Sequence, residues 1–179
     1  MSIPILTTDR LELRPFSEDD IDRVTELLQA PEIAATTLNI AYPYSRDDAA
    51  GWIARHPEAA EAGTDLTWAV WLQDDDLLIG AIGIHIDVHN RRGTLGYWLG
   101  RPYWNKGYMS EAARAVVEYG FSKLDLHRIE ATRMPENIGS GRVMEKAGLT
   151  YEGTLRGYYV KDGVFLDAAI HAIIRNEAE

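Results

Sequence analysis

The stretch Tyr97 to Ala112, Tyr-Trp-Leu-Gly-Arg-Pro-Tyr-Trp-Asn-Lys-Gly-Tyr-Met-Ser-Glu-Ala, constrains this chain more than any other. A strand-like run ends at Leu99. A short polar loop covers Asn105 to Gly107, and a helix-forming run begins near Met109 and continues through Ala112, Ala113, Val116 and Val117. In that order, strand, loop and helix aim unpaired backbone N–H groups at one point, reinforced by the positive end of the helix dipole. Such a point holds a phosphate. Gly107 has no Cβ, so the main chain can come close to a ligand there. The stretch therefore predicts a nucleotide-type cofactor.

The remainder of the 179 residues fits one domain, 1–179, with a substantial core. No apolar run approaches the roughly 20 residues of a membrane span. The N-terminus lacks the basic patch and long apolar stretch of a secretory signal. The chain contains no cysteine, which removes disulfides, thiolate metal sites and cysteine nucleophiles and fits a cytoplasmic location. The net charge of −10 argues against non-specific nucleic-acid binding, which needs clustered Lys and Arg. An acidic field favours cationic partners such as amines, although a solvated acidic surface explains the same charge.

Along the chain, Leu11 to Arg14 alternates as a strand. Ser17-Glu-Asp-Asp20 and Ser45-Arg-Asp-Asp48 read as helix caps, the first leading into Ile21, Val24, Leu27 and Leu28 and the second into Ala49 to Arg55. The link from Pro31 to Tyr44 reads as irregular. Thr67 to Gln73 and Leu77 to Ile86 form a hairpin about Asp74-Asp-Asp76, and Thr94 to Leu99 follows as a strand. A helix from about Met109 to Lys123, a strand Arg128 to Arg133, a helix Ile138 to Lys146 ended by Gly148, and strands Tyr151 to Tyr159 and Val164 to Ile174 complete the order. This order predicts a mixed α/β sheet, largely antiparallel with a parallel segment where helices cross over.

That order, with the motifs around it, resembles the GNAT superfamily of acyl-CoA-dependent N-acyltransferases, and most of all its RimJ/RimL branch. The likeness covers nearly the whole chain. Leu6-Thr-Thr-Asp-Arg-Leu-Glu-Leu-Arg-Pro15 is similar to the branch's usual start, and Gly96-Tyr-Trp-Leu99 to its splayed central strand. Trp104-Asn-Lys-Gly-Tyr-Met109 falls on its pyrophosphate loop. Asn137 to Leu149 looks like its second cofactor helix, and Gly163-Val-Phe-Leu-Asp167 like its last hairpin. The chain departs from the pattern at Trp104, where Gln or Arg is usual, at Asn105, where this branch has glycine, and at Met109, where Gly or Ala is usual. Thr94 stands where many relatives carry a Glu on the central strand. A second family carboxylate falls where Gly157 or Tyr158 stands, and His171 replaces a usual Tyr.

The resemblance implies a splayed parallel pair within the sheet, with acetyl-CoA as cofactor. Trp98 and Leu99 would pair with pantetheine, and Trp104, Asn105, Lys106, Gly107, Tyr108 and Met109 would line the pyrophosphate site. Asn137 would orient the pantetheine arm, and Ser140 would donate a proton or hydrogen bond to the departing sulfur. From spacing alone, Asn137 equally reads as a helix cap and Ser140 as a polar first-turn residue. Because both usual carboxylates are missing, the general base stays open among Asp87, His89, His85, His171, Asp167 and water. Tyr108, Tyr158 and Tyr159 are available as acid or substrate wall. The implied acceptor is a protein N-terminal amino group, with a small amine or antibiotic, or a non-catalytic acyl-CoA-binding module, as alternatives. The family likeness also implies a homodimer. No metal site emerges from the five histidines. Gly139-Ser-Gly141 lacks the strand-to-helix elbow of a hydrolase, and a Walker-type loop is missing.

Overall fold

Residues 2–177 are described by the computed structural model, in which the alternating runs of the sequence join into one eight-stranded sheet. Its strands are β1 (Leu6–Thr7), β2 (Leu11–Arg14), β3 (Asp65–Leu72), β4 (Leu77–Asp87), β5 (Arg92–Leu99), β6 (Arg128–Arg133), β7 (Thr150–Lys161) and β8 (Val164–Ile174). They lie in the order β1-β2-β3-β4-β5-β6-β8-β7. Every neighbouring pair is antiparallel except β5–β6. The expected mixed sheet is thus the one found. The helices are α1 (Ile21–Leu27), α2 (Pro31–Thr36), α3 (Arg46–Ala54), α4 (His56–Ala62), α5 (Tyr108–Ser122) and α6 (Ile138–Lys146).

Strand alternation divides the apolar residues between two cores, one on each face. Leu66, Trp68, Val70, Ile82, Ile84 and Leu95 point to a first face, where α5 covers them with Met109, Ala112, Ala113, Val116 and Val117 and α6 adds Met144. Ala69, Leu78, Ala81 and Trp98 point to the opposite face and meet Ile21, Val24 and Leu27 from α1 and Ala49 and Ile53 from α3.

Two helical segments are not legible as read. The link Pro31 to Tyr44 holds α2, which starts with Pro31 at its first turn, where the missing N–H costs nothing. The helix expected to end at Arg55 is followed at once by α4, which carries Pro57 in its first turn and ends at Gly63 in the left-handed region, φ 73°.

The parallel pair is short, and its shortness creates the site. β5 and β6 pair from Arg92↔Arg128 to Leu95↔Ala131 and no further. Beyond that point β6 keeps its partner β8 as far as Arg133↔Ala169, while β5 keeps β4 as far as Leu99↔Gly80. Residues 96–99 therefore border a gap within the sheet.

Candidate active site

The gap opens into a cavity of about 1130 Å³ that reaches both faces of the sheet. On the α5–α6 face it is lined by Asn105, Gly107, Tyr108, Met109 and Ser110, and by Asn137, Ser140 and Arg142. On the other face it is lined by Thr36 to Ile40, Trp52, Asp65, Thr67, His85 and Thr94. Tyr97, Trp98 and Leu99 run between the two halves.

Which backbone groups of β5 face the gap follows from the ladder. The Gly100 N–H donates to the Ile79 carbonyl at 2.8 Å, and Trp98 lies opposite Ala81 in the same register. In an antiparallel pair the polar groups of successive residues turn to opposite sides. Trp98 therefore presents its backbone to β4, whereas Tyr97 and Leu99 present theirs to the gap. This corrects the sequence expectation for Trp98, whose indole is buried beside Trp52 with ring centroids 6.2 Å apart. Leu99 keeps the expected edge, although its carbonyl already accepts from Trp104 Nε1 at 2.6 Å. That bond explains the tryptophan in the loop's first position: it ties the loop to the strand end.

The loop itself takes two left-handed residues, Asn105 with φ 63° and Gly107 with φ 82°. Asparagine tolerates that region better than most side chains, so it can replace a glycine there. A Cβ at Gly107 would meet only Arg10 Nη2, 3.5 Å away, so the space above the loop is open to a ligand. Behind the loop starts α5, a 15-residue helix with its N-terminal amides toward the cavity. The Met109 side chain turns into the core at 4% exposure, which leaves its backbone as the part available at the loop. The Lys106 ammonium lies over the Tyr103 ring, and its carbonyl accepts from Arg10 Nη1.

Arg10 belongs to a clamp that the sequence reading missed. The Glu111 carboxylate accepts from Thr8 Oγ1 at 2.6 Å, Arg10 N at 2.9 Å and Arg10 Nε at 2.7 Å. Arg10 also covers the Tyr108 ring at 4.5 Å. Burial alone would raise the Glu111 pKa, yet the Thr8 and Arg10 bonds hold it below the ordinary carboxylate range. The signal was a buried Glu one turn into a helix that faces the core.

On α6, the Asn137 side-chain oxygen accepts from the Ser140 N–H at 3.0 Å and so caps the helix. Asn137 also lines the cavity. Ser140 Oγ lies 2.8 Å from the Tyr97 hydroxyl, which also donates to the Ser140 carbonyl at 3.2 Å. Burial raises the Tyr97 pKa to about 12, so this phenol stays protonated. Arg133, Arg142 and Lys146 line the same half of the cavity and form no ion pair with a carboxylate among the described residues. In a chain with 28 acidic and 18 basic side chains, unneutralised cations gathered at one cleft suit an anionic ligand. The open loop, the helix N-terminus, the bare strand edge and these cations together fit a phosphate-bearing group with an extended arm.

The base candidates separate cleanly. Asp87 accepts from Asn90 N at 3.0 Å and Asn90 Nδ2 at 2.7 Å within a turn, and neither it nor exposed His89 reaches the cavity. Asp167 accepts from Gly157 N at 2.8 Å and lines a separate small recess. His171 is 1% exposed on the α6 face, and burial lowers its pKa. Those four candidates are therefore corrected by position. His85 alone of that group lines the cavity, with Nδ1 3.0 Å from Asp65 Oδ1. Tyr159 also lines it and hydrogen-bonds Thr132, whereas Tyr158 is exposed outside it. No cluster of three potential metal ligands occurs among the described residues.

This architecture matches known proteins along most of its length. The acetyltransferase (GNAT) domain family matches residues 10–150. The chain belongs to the GNAT acetyltransferase family. The uncharacterized N-acetyltransferase p20 of Bacillus licheniformis is 32% identical over 173 residues, 96% of this chain and 97% of the relative. The [Ribosomal protein uS5]-alanine N-acetyltransferase of Escherichia coli is 29% identical over 94% of this chain and 89% of its own. In fold, this acetyltransferase is similar to RimL, a ribosomal L7/L12 alpha-N-protein acetyltransferase solved with coenzyme A, with a TM-score of 0.87 at 19% identity over 97% and 99% of the two chains. The activity of the GNAT member described here is thus N-acetyl transfer.

Proposed function

We propose that this acetyltransferase moves an acetyl group from acetyl-CoA to a protein N-terminal amino group, by direct attack in a ternary complex. The observation that carries the reading is the gap after Leu95↔Ala131, a bare strand edge with an amide loop on one face and an open vestibule on the other. The N-terminal acceptor is taken from the uS5-alanine enzyme that the chain is similar to.

The backbone of Asn105, Lys106, Gly107, Tyr108 and Met109 grips the pyrophosphate, with Trp104 fixing the loop to β5. Arg133, Arg142 and Lys146 offset the remaining negative charge. Tyr97 and Leu99 hold the pantetheine arm by strand-like pairing, and the Asn137 NH₂ orients it. A gap-facing N–H of β5 polarises the carbonyl, as oxyanion donors do. When bound, acetyl-CoA supplies an activated thioester. Ser140 gives its proton to the departing sulfur and recovers one from solvent. Alignment of the two reactants contributes much of the acceleration, on the order of 7–11 kcal/mol at best.

The test is free-thiol release with acetyl-CoA and a panel of peptides with free or blocked N-termini, small amines and aminoglycosides. Release that depends on a free peptide N-terminus supports the reading. Release on small amines alone replaces the acceptor, and tight CoA binding without release on any amine leaves a binding module.

A further inference from the structure

The second half of the cavity holds a histidine–aspartate pair. His85 on β4 lies directly opposite Thr94 on β5 and directly opposite Asp65 on β3. The three side chains share one face, and all line the cavity. Asp65 Oδ1 is 3.0 Å from His85 Nδ1. A carboxylate there selects the tautomer with the proton on Nδ1 and leaves the lone pair on Nε2. Nε2 has no hydrogen-bond partner among the described residues.

The next pair along the same face is Gly83 opposite Gly96. Gly96 is also the first residue of β5 past its last pairing with β6. A Cβ built on Gly96 meets nothing within 4 Å. The floor of the vestibule is therefore bare at the apex of the gap, one residue pair from His85. Two residues along a strand span roughly 6–7 Å, a distance that one or two waters bridge.

We propose that His85, positioned by Asp65, is the general base of this enzyme and serves the amine that enters over Gly96. The proposal rests on the transferase reading above. The incoming ammonium loses one proton through water to His85 Nε2, which passes it to solvent. The amine nitrogen then forms the C–N bond to the acetyl carbon while the C–S bond breaks and the sulfur keeps the electron pair. That sulfur takes its proton from Ser140, and the nitrogen releases its surplus proton through the same water to Nε2. One proton is released to solvent per turnover.

The other charged groups along this face are paired with one another. On β5 the facing residue, Thr94, is uncharged, and beyond it on β6 stands Glu130, whose carboxylate is paired with Arg128 at 2.7 Å and Arg92 at 3.7 Å. Further along that face Arg92 donates to Asp87 at 3.2 Å, which pairs both. From α4, His56 approaches Asp65 electrostatically and stays neutral down to about 4.

The experiment compares wild type, His85→Gln, Asp65→Asn and Asp65→Glu by thiol release across pH. His85 is well exposed, so each variant is expected to keep the wild-type melting temperature and KM for acetyl-CoA. In His85→Gln, kcat falls about a hundredfold, and the one-proton acid limb of kcat/KM is lost or moves to the amine's own ionisation. Asp65→Asn lowers kcat about tenfold, and Asp65→Glu restores part of the loss. A folded His85→Gln enzyme with the wild-type rate and pH profile overturns the pair while leaving the transferase intact. Wild-type protein inactive on every amine overturns the reaction itself, and the base with it.

Discussion

The Tyr97 hydroxyl lies 2.8 Å from Ser140 Oγ, joining the unpaired edge of β5 to the first turn of α6. Tyr97 also donates to the Ser140 carbonyl, so one phenol fixes both the backbone and the hydroxyl of the residue proposed to protonate sulfur. Because burial raises the Tyr97 pKa to about 12, it remains a donor across the working range. Ser140→Ala is expected to lower kcat about tenfold or more while the Kd for CoA changes less than threefold, on the scale of one lost general acid. Tyr97→Phe should lower kcat less, about three- to tenfold, since Ser140 survives but loses its anchor. Steady-state kinetics and calorimetric CoA titration separate the two effects. A Ser140→Ala enzyme weakened in CoA binding alone would remove the sulfur-protonating role.

Gly107 tests the loop. Its φ of 82° suits glycine, and a Cβ there would project into the space above the amides. Gly107→Val is expected to raise the Kd for CoA at least about tenfold, near 1.4 kcal/mol, with a smaller effect on kcat at saturating cofactor. Unchanged affinity in a folded variant would place the phosphates elsewhere.

The clamp at Glu111 couples the N-terminal segment to the same loop. Removing the carboxylate would strand the Thr8 hydroxyl and the Arg10 N–H. Glu111→Ala should destabilise the fold by about 2 kcal/mol, below the range for fully buried pairs because Arg10 is partly solvated. The Glu111 pKa is depressed on folding, so its contribution is present above the ordinary carboxylate pKa and is lost as the pH falls from there through the lower, folded-state pKa. Denaturant melts at neutral pH and near pH 3, for wild type and variant, check both statements. Equal destabilisation at the two pH values would contradict the assigned protonation.

Local signals made most of the fold legible. Apolar runs and their turns mark β2 to β8, and Ser17 and Ser45 stand at the helix starts where they read as caps, Ser45 accepting from the Asp48 N–H. The helix over Ile138–Lys146 and the strand over Arg128–Arg133 begin and end where they were read. The misses have physical causes. The link from Pro31 to Tyr44 reads as irregular and nothing is read after Arg55, yet Pro31 and Pro57 each sit in a helix first turn that needs no proline N–H. Trp98 was chosen over Tyr97 because spacing along one strand does not say which neighbour claims which backbone edge. Asp65 and His85 are 20 residues apart in sequence, and only the β3–β4 register brings them together. The three other histidine or aspartate candidates beyond the last-strand His171 failed for a similar reason: Asp87, His89 and Asp167 carry suitable groups but point to turns or solvent rather than to the gap.

A pH effect on stability is expected from His56, outside the proposed chemistry. Its ring packs against Trp52 at 4.5 Å and Phe16 at 5.4 Å, and neither nitrogen has a hydrogen-bond partner. Burial, aided by the Arg55 charge, lowers its pKa from 6.5 to about 4. The unfolded chain therefore binds a proton below pH 6.5 that the folded chain refuses until about pH 4. Stability conferred by the neutral ring is complete above that upper value and declines as the pH drops through the window. The loss approaches about 3 kcal/mol at its lower end. His56→Phe preserves an aromatic ring of similar size and removes the titration. Urea unfolding between pH 7 and 4 should show a steeper decline in wild type than in His56→Phe. Parallel pH profiles for the two proteins would mean that the imidazole is already solvated in the native state.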